Sequence, residues 1–188
     1  MLSQKSKVFI ISGPSGAGED SIIRGLEKLF PIEKVTTTTT REMRAGESQG
    51  RPYYFVSKEN FAFGIENGDF FEHAEEDRGN FYGVTKREMQ RSLVSNKSVI
   101  WKLDYKGAIT AKKLIPDCVT ILIDVPMEVI ERRIRKRDLA TDEYINIRLN
   151  YAKGWYENRD KFDYSVRNED GKLDEAIKNV AEIMKKYA

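Results

Sequence analysis

A glycine-rich segment with the spacing of a phosphate-binding loop follows the first apolar run of the chain. Residues 8–11 predict a buried strand, and Gly13 and Gly18 are separated by four residues just before a helical pattern begins. Glycines at this spacing let successive backbone N–H groups point inward, where the helix N-terminus adds partial positive charge. The alternative is an ordinary tight turn. We predict a loop that binds the phosphates of ATP, formed by Gly13, Pro14, Ser15, Gly16, Ala17, Gly18, Glu19, Asp20 and Ser21.

The two residues after the last glycine depart from the usual pattern of such a loop. A P-loop carries Lys and then Ser or Thr there, and these contact the β- and γ-phosphates and Mg²⁺. This chain has Glu19 and Asp20 instead. A carboxylate about 4 Å from a phosphate charge costs on the order of 4 kcal/mol at an effective dielectric constant of about 20. Either the site has lost its activity, or another cation neutralises it and Asp20 binds Mg²⁺ directly, since carboxylates are good Mg²⁺ ligands.

Two arginines beside a run of hydroxyl side chains form a second candidate phosphate site. Arg41 directly follows five threonines at 36–40, and Arg44 comes three residues later. Guanidinium groups arranged in this way can grip one phosphate bidentately. The alternative is a solvated basic loop, and these residues alone favour neither interpretation.

The composition excludes several classes of function. The 188 residues include 32 Lys and Arg and 30 Asp and Glu, so the net charge of +2 argues against a strongly basic nucleic-acid domain. No apolar run approaches the roughly 18 residues of a membrane span, and the first apolar stretch is too short for a signal peptide. The single cysteine, Cys118, suits a reducing compartment. We expect a cytoplasmic protein with neither nucleic acid nor membrane as a partner.

Short apolar runs alternate with amphipathic segments along the chain, which is typical of an α/β fold with a parallel sheet. We expect five parallel strands, near residues 8, 35, 98, 119 and 164, with the second strand running over 35–40. Shorter strand-like runs separated by turns predict a small α+β insertion over 36–90. Within it, Ser57 is expected to cap a helix, and Thr85 with Glu88 forms a capping box for the next one.

Four motifs together resemble the guanylate kinase family. They are GPSGAG at 13–18, TTR-x-x-R-x-GE-x-x-G-x-x-Y at 39–53, F-x-E at 70–72 and GNFYG at 79–83. The resemblance implies a three-layer P-loop core (1–35, 91–137 and 159–188), a monophosphate-binding insertion (36–90) and a helical lid (138–158) in a single domain. It also implies transfer of the ATP γ-phosphoryl group to GMP, dGMP or a related purine monophosphate with Mg²⁺, by a monomer or homodimer.

The resemblance carries residue roles with it. It implies a set that binds the monophosphate substrate, in which Glu72 reads the guanine edge: Thr37, Arg41, Arg44, Tyr53, Glu72, Tyr82, Val84 and Asp104. It implies lid and catalytic arginines: Arg44, Arg133, Arg137 and Arg148. Asn168 matches a residue near the adenine. Val84 stands where the family has Ser or Thr in contact with guanine O6, which leaves the base preference open.

A second departure from the family pattern lies on the strand near residue 100. The usual Asp-x-Asp reads Lys102-Leu103-Asp104 here, so an acid has become a lysine while Glu19 replaces the P-loop lysine. The carboxyl ends of parallel strands converge on the phosphate site in this kind of sheet. We therefore predict a charge swap between Glu19 and Lys102, in which Lys102 acts as the catalytic phosphate contact and Asp20 holds Mg²⁺.

Two other interpretations stay open at this point. The charge changes are also compatible with independent losses in an abandoned site, although the balance of their signs and the retained arginines favour the swap. The chain would then be an inactive guanylate-kinase-like module that binds a phosphorylated or acidic partner through its arginines, or a nucleotide sensor. Only the enzyme interpretation predicts Mg²⁺-dependent ADP release.

Overall fold

Strands and helices alternate along nearly the whole chain. The computed structural model describes residues 6–75, 79–137 and 141–187. These residues form, in chain order, β1 (Val8–Ser12), α1 (Glu19–Leu26), β2 (Ile32–Lys34), β3 (Thr38–Thr39), β4 (Tyr54–Phe55), α2 (Lys58–Glu66), β5 (Phe70–Glu75), β6 (Phe81–Thr85), α3 (Lys86–Leu93), β7 (Ser98–Lys102), α4 (Tyr105–Leu114), β8 (Val119–Asp124), α5 (Met127–Arg137), α6 (Asp142–Glu157), β9 (Tyr164–Arg167) and α7 (Leu173–Lys185). A 3₁₀ turn at Arg159–Lys161 joins α6 to β9.

Five parallel strands form the central sheet in the order β2-β7-β1-β8-β9. The middle strand, β1, is buried along its whole length because helices cover both faces of the sheet. Its side chains alternate between two cores: Phe9 and Ile11 pack with α1, α5 and α7, whereas Val8 and Ile10 pack with α4. The predicted α/β fold with three layers and a five-stranded parallel sheet is confirmed.

A second sheet lies within the predicted insertion and has the order β4-β3-β6-β5. β3 pairs in parallel with β4 and antiparallel with β6, and β6 pairs antiparallel with β5. Ser57 caps α2 as predicted, because its side chain accepts the N–H of Asn60 at 3.2 Å. The boundaries of the insertion and of the lid remain predictions.

The strand predicted over 35–40 is wrong as a single element. The chain leaves the central sheet after β2 and Val35, whose N–H still bonds to Ile100 O at 3.0 Å, and enters the second sheet at β3. β-branched residues favour extended backbone on both sides of the crossing. The local pattern therefore hid the change of sheet.

The capping box predicted at the start of α3 forms only in part. The Thr85 side chain accepts the N–H of Glu88 at 3.2 Å, as predicted. The Glu88 carboxylate does not complete the box; it binds the N–H of Thr36 and the guanidinium group of Arg91 instead. None of the described helices is both long and apolar enough to cross a membrane.

Candidate active site

A cleft of about 1200 Å³ runs between the carboxyl edge of the central sheet and the second sheet. Successive parallel strands end at this edge, so the loops and helix starts that follow them face the same space. Most of the predicted site residues line it: Gly13, Ser15, Glu19, Asp20, Thr37, Arg41, Arg44, Tyr53, Glu72, Tyr82, Lys102, Asp104 and Arg148.

The glycine-rich loop at the end of β1 is held in a left-handed conformation at two points. Gly16 and Gly18 have φ of +90° and +94°, backbone angles that residues other than glycine rarely adopt. The N–H of Ala17 donates to Pro14 O at 2.8 Å, and the amide of Asn168 donates to Ala17 O at 2.7 Å. The loop therefore keeps the backbone shape of an anion-binding nest although its following residues are acidic.

Arg133 lies behind this loop and its donors are engaged there. One guanidinium nitrogen donates to Gly16 O at 3.0 Å, a second donates to Asn168 O at 3.0 Å, and Nε donates to Asp170 at 3.0 Å. The Asn168 side chain is buried against the same loop. Neither residue lines the cleft formed by the described residues, and both bond to the glycine-rich loop instead. Their predicted contacts with phosphate and adenine remain predictions.

Lys102 pairs directly with the second acid of the loop. Its Nζ lies 2.7 Å from Asp20 Oδ1, and the Asp20 side chain is 67% exposed at the cleft. Burial works to lower the pKa of Lys102, but the neighbouring Tyr53 and Asp20 outweigh that effect and raise it. The predicted charge swap paired Lys102 with Glu19, whereas the contact in the structure is with Asp20, one residue further along the first turn of α1.

Glu19 is partly buried at the start of α1. Burial raises the pKa of its carboxyl group to about 7, against opposing effects of Lys102 and of backbone N–H groups at Gly18 and Glu19 itself. Those N–H groups belong to the same loop that would receive a phosphate. An acid in the first turn of a helix interacts favourably with the helix dipole, but burial outweighs that effect at Glu19, which stands where a P-loop carries a lysine.

Arg41 is fixed by a carboxylate to which sequence reasoning assigned no role. Its Nη2 donates to both oxygens of Glu47, at 2.8 and 3.0 Å, and its guanidinium group lies over the rings of Tyr53 and Phe55. Glu47 also accepts the backbone N–H of Arg44 at 2.8 Å and its pKa is lowered, mainly by Arg41. The contact spans six residues of irregular loop, so no helical or strand period pointed to it.

Glu72 and Asp104 are two carboxylates at the inner end of the cleft. Glu72 is only 8% exposed, and burial, with a smaller contribution from Asp104, raises its pKa to about 7. Asp104 is held on both oxygens: it accepts the N–H of Gly107 at the start of α4 and the hydroxyl of Tyr151, each at 2.7 Å. Glu72 is thus the carboxylate that the fold leaves available to a ligand with two adjacent donors.

Val84 is placed differently from the rest of the predicted monophosphate set. It pairs with Glu72 across β5 and β6, but its side chain is fully buried in the core that contains Met89 and Trp101, and it does not line the cleft. An apolar side chain gains by burial there, whereas a hydroxyl would need a partner. In this structure Val84 is a core residue.

The helix α6 brings Arg148 to the open side of the cleft. Arg148 Nε donates to Tyr144 Oη at 3.3 Å, and its guanidinium group lies over the same ring. The same helix is anchored by Trp155, whose Nε1 donates to Ser12 Oγ at 2.8 Å, at the end of β1. Sequence reasoning expected Trp155 to pack this helix against the protein but gave it no partner. Arg137 is the last residue of α5, and its side chain, like residues 138–140 of the predicted lid, lies outside the described part.

Comparison with known proteins matches the chain to the guanylate kinase family model over residues 5–187. The chain belongs to the guanylate kinase family. A curated guanylate kinase from Hahella chejuensis is 34% identical over 183 residues, which cover 96% of this chain and 86% of the relative. One from Clostridium perfringens is 36% identical over 184 residues, covering 97% and 84%.

A solved structure agrees with this assignment. The crystal structure of guanylate kinase from Anaplasma phagocytophilum superimposes with a TM-score of 0.77 at 29% identity, covering 100% of this chain and 88% of that one. The resemblance of the motifs to the guanylate kinase family is confirmed. Within this family assignment, Glu19 and Asp20 stand where the P-loop pattern has Lys and then Ser or Thr.

Proposed function

We propose that this protein transfers the γ-phosphoryl group of ATP to GMP, or to dGMP or a related purine monophosphate, in the cytoplasm. The observation that carries the proposal is that a phosphate-binding loop, the Arg41–Arg44 loop and the buried carboxylate of Glu72 line a single cleft. Phosphoryl transfer needs two phosphate sites facing each other and little covalent chemistry from the protein. Family membership supports the same activity.

The monophosphate would bind at the second sheet. Arg41, Arg44 and the hydroxyls of Thr37, Tyr53 and Tyr82 are donors suited to its phosphate oxygens. Glu72, when ionised, accepts from two adjacent donors, and guanine presents an N–H and an amino group side by side. Since Asp104 is already held by Gly107 and Tyr151, it acts on the base site through its charge and by positioning α4.

The ATP phosphates would bind at the glycine-rich loop, where backbone N–H groups and the start of α1 favour anions. In place of the P-loop lysine we assign Lys102, whose ammonium group is already at the first turn of α1. Asp20 fits Mg²⁺, since the ion commonly takes one or two carboxylates plus substrate phosphates and water. Among the described residues no three acidic, His or Cys side chains form a metal cluster. When bound with ATP, Mg²⁺ supplies positive charge at the phosphoryl oxygens.

In the transfer itself, an oxygen of the GMP phosphate forms a bond to the γ-phosphorus as the bond to the β–γ bridging oxygen breaks, and ADP leaves. Charge on the transferred group is neutralised by Lys102, Arg44 and Arg148, which line the cleft. Arg133 and Asn168 keep the loop in shape from behind. The predicted lid over 138–158, with Arg137, would close over both nucleotides and exclude water.

A coupled ADP-release assay tests this function. Folded protein, checked by circular dichroism, is given ATP and Mg²⁺ with GMP, dGMP, IMP, AMP, UMP or CMP. We expect turnover with GMP or another purine monophosphate and only background release without an acceptor. No turnover with any acceptor would overturn the proposal, and phosphopeptide binding that ATP does not affect would then favour the inactive binding module.

A further inference from the structure

The chain crosses from the central sheet to the second sheet at a single residue, Thr36. The last bond of the central sheet is made by the N–H of Val35 to Ile100 O at 3.0 Å, and the first bond of the second sheet is accepted by Thr37 O from Tyr54 N–H at 2.9 Å. Thr36 belongs to neither ladder. Its N–H donates to Glu88 Oε1 at 2.8 Å, so this backbone donor is satisfied by a side chain rather than by a neighbouring strand.

Glu88 lies where the chain comes back from the second sheet to the core. It is in the first turn of α3, directly after β6, and is only 4% exposed. Both of its oxygens also accept from Arg91, at 2.7 and 2.9 Å. Arg91 in turn contacts the Glu33 carboxylate and donates to Lys34 O at 3.1 Å, both on β2. The segment that leaves the central sheet and the segment that returns to it are therefore both bonded to the Glu88 carboxylate or to its partner Arg91.

We propose that Glu88 is a positioning residue that fixes the monophosphate-binding sheet on the ATP-binding core. The bonds among Thr36, Glu88 and Arg91 form the joint between the two sheets. All of Thr36, Thr37 and Arg91 line the cleft, so a shift at this joint displaces Thr37 and the arginine loop that follows β3. The inference rests on the proposed function for its kinetic consequence, but the joint itself is a feature of the fold.

Charge at this joint favours a geometric role over a purely stabilising one. An ion pair whose arginine side chain is 46% exposed contributes little net stability, but its bidentate geometry fixes orientation. Glu88 has three bonds of defined direction: one to Thr36, between the two sheets, and two to Arg91, which also bonds to β2.

Three variants separate positioning from stability. Glu88→Ala removes all three bonds. Glu88→Gln keeps an acceptor oxygen for the N–H of Thr36 and the shape of the side chain. Glu182→Ala is the matched control, because it removes an exposed glutamate paired with Lys185 at 2.8 Å on α7. Each variant is assayed well below its unfolding temperature for KM of GMP, KM of ATP and kcat, and hydrogen exchange is followed in the segment 33–37.

For Glu88→Ala we expect the KM of GMP to rise on the order of tenfold, since small displacements of a binding group are costly, with the KM of ATP within about twofold of wild type. Exchange of the segment 33–37 should accelerate. Glu88→Gln should recover most of the GMP affinity. Unchanged exchange would overturn the proposal even if no turnover were found, and so would an equal rise in both KM values or wild-type kinetics in a less stable Glu88→Ala protein.

Discussion

The ammonium group of Lys102 lies 2.7 Å from the carboxylate of Asp20, where the end of β7 meets the first turn of α1. The contact follows from the sheet order, because β7 is the immediate neighbour of β1 and pairs Ile11 with Lys102. It brings a cation to a loop whose own lysine position holds an acid. This position of the ammonium group is the basis for the proposal that Lys102 binds the ATP phosphates.

Binding of GMP should weaken as the pH falls below about 7. Burial raises the pKa of Glu72 to about 7, and only the ionised carboxylate accepts both donors of the guanine edge. The Kd for GMP, measured by calorimetry between pH 5.5 and 8.5, should be lowest above pH 7.5 and rise toward tenfold per unit of pH below 6.5.

The same titration on Glu72→Gln provides the control, because a phosphate monoester also takes up a proton near pH 6. This variant should bind GMP more weakly at pH 8 and retain only the shallow dependence that the phosphate causes. Identical pH profiles for both proteins would refute the role of Glu72 in reading the base.

Replacing Glu47 should impair the monophosphate site although Glu47 is not expected to touch the substrate's base. Glu47→Ala frees the Arg41 guanidinium group from its two bonds and leaves the N–H of Arg44 without its partner. We expect the KM of GMP to rise about fivefold to twentyfold, which corresponds to roughly 1–2 kcal/mol, with little change in the KM of ATP. Steady-state kinetics measures both KM values, with Glu42→Ala, one residue from Arg41, as the control. The same KM of GMP in both variants would contradict this role of Glu47.

Much of the fold could be predicted from sequence because the pattern was regular. Short apolar runs located β1, β7, β8 and β9 near residues 8, 98, 119 and 164, and the cap at Ser57 located the start of α2. The pattern failed where one β-branched run served two sheets, between β2 and β3. Extended conformation is a local property, but the choice of sheet depends on distant partners such as Ile100 and Tyr54.

The site could be predicted as a set of residues but not as a set of contacts. The motifs named most of the cleft wall, because glycines, arginines and carboxylates carry their chemistry in their identity. The partners were hidden: Lys102 meets Asp20 across 82 positions and Trp155 meets Ser12 across 143. Such contacts leave no periodic pattern in the sequence. The burial of Val84 in the core left none either.

Arg133 gives a prediction that distinguishes a supporting role from a catalytic one. Its bonds to Gly16 O and Asn168 O hold the glycine-rich loop, and the loss of such charge-assisted bonds costs about 2 kcal/mol. Arg133→Ala should therefore unfold at lower urea concentration and bind ATP more weakly. Arg135→Ala, an exposed arginine on the same helix, is the control. Normal stability and ATP affinity with a large loss of kcat would instead assign Arg133 to the reacting phosphoryl group.

The measurement that tests the account most directly is ADP release from ATP, Mg²⁺ and GMP by the wild type, Lys102→Ala and the double variant Lys102→Ala/Glu19→Lys. We expect turnover by the wild type, a loss on the order of 100-fold in kcat for Lys102→Ala, as for other groups that stabilise charge in a transition state, and partial recovery when a lysine is restored at position 19. Full activity in Lys102→Ala, or a folded wild type that releases no ADP with GMP, would contradict it.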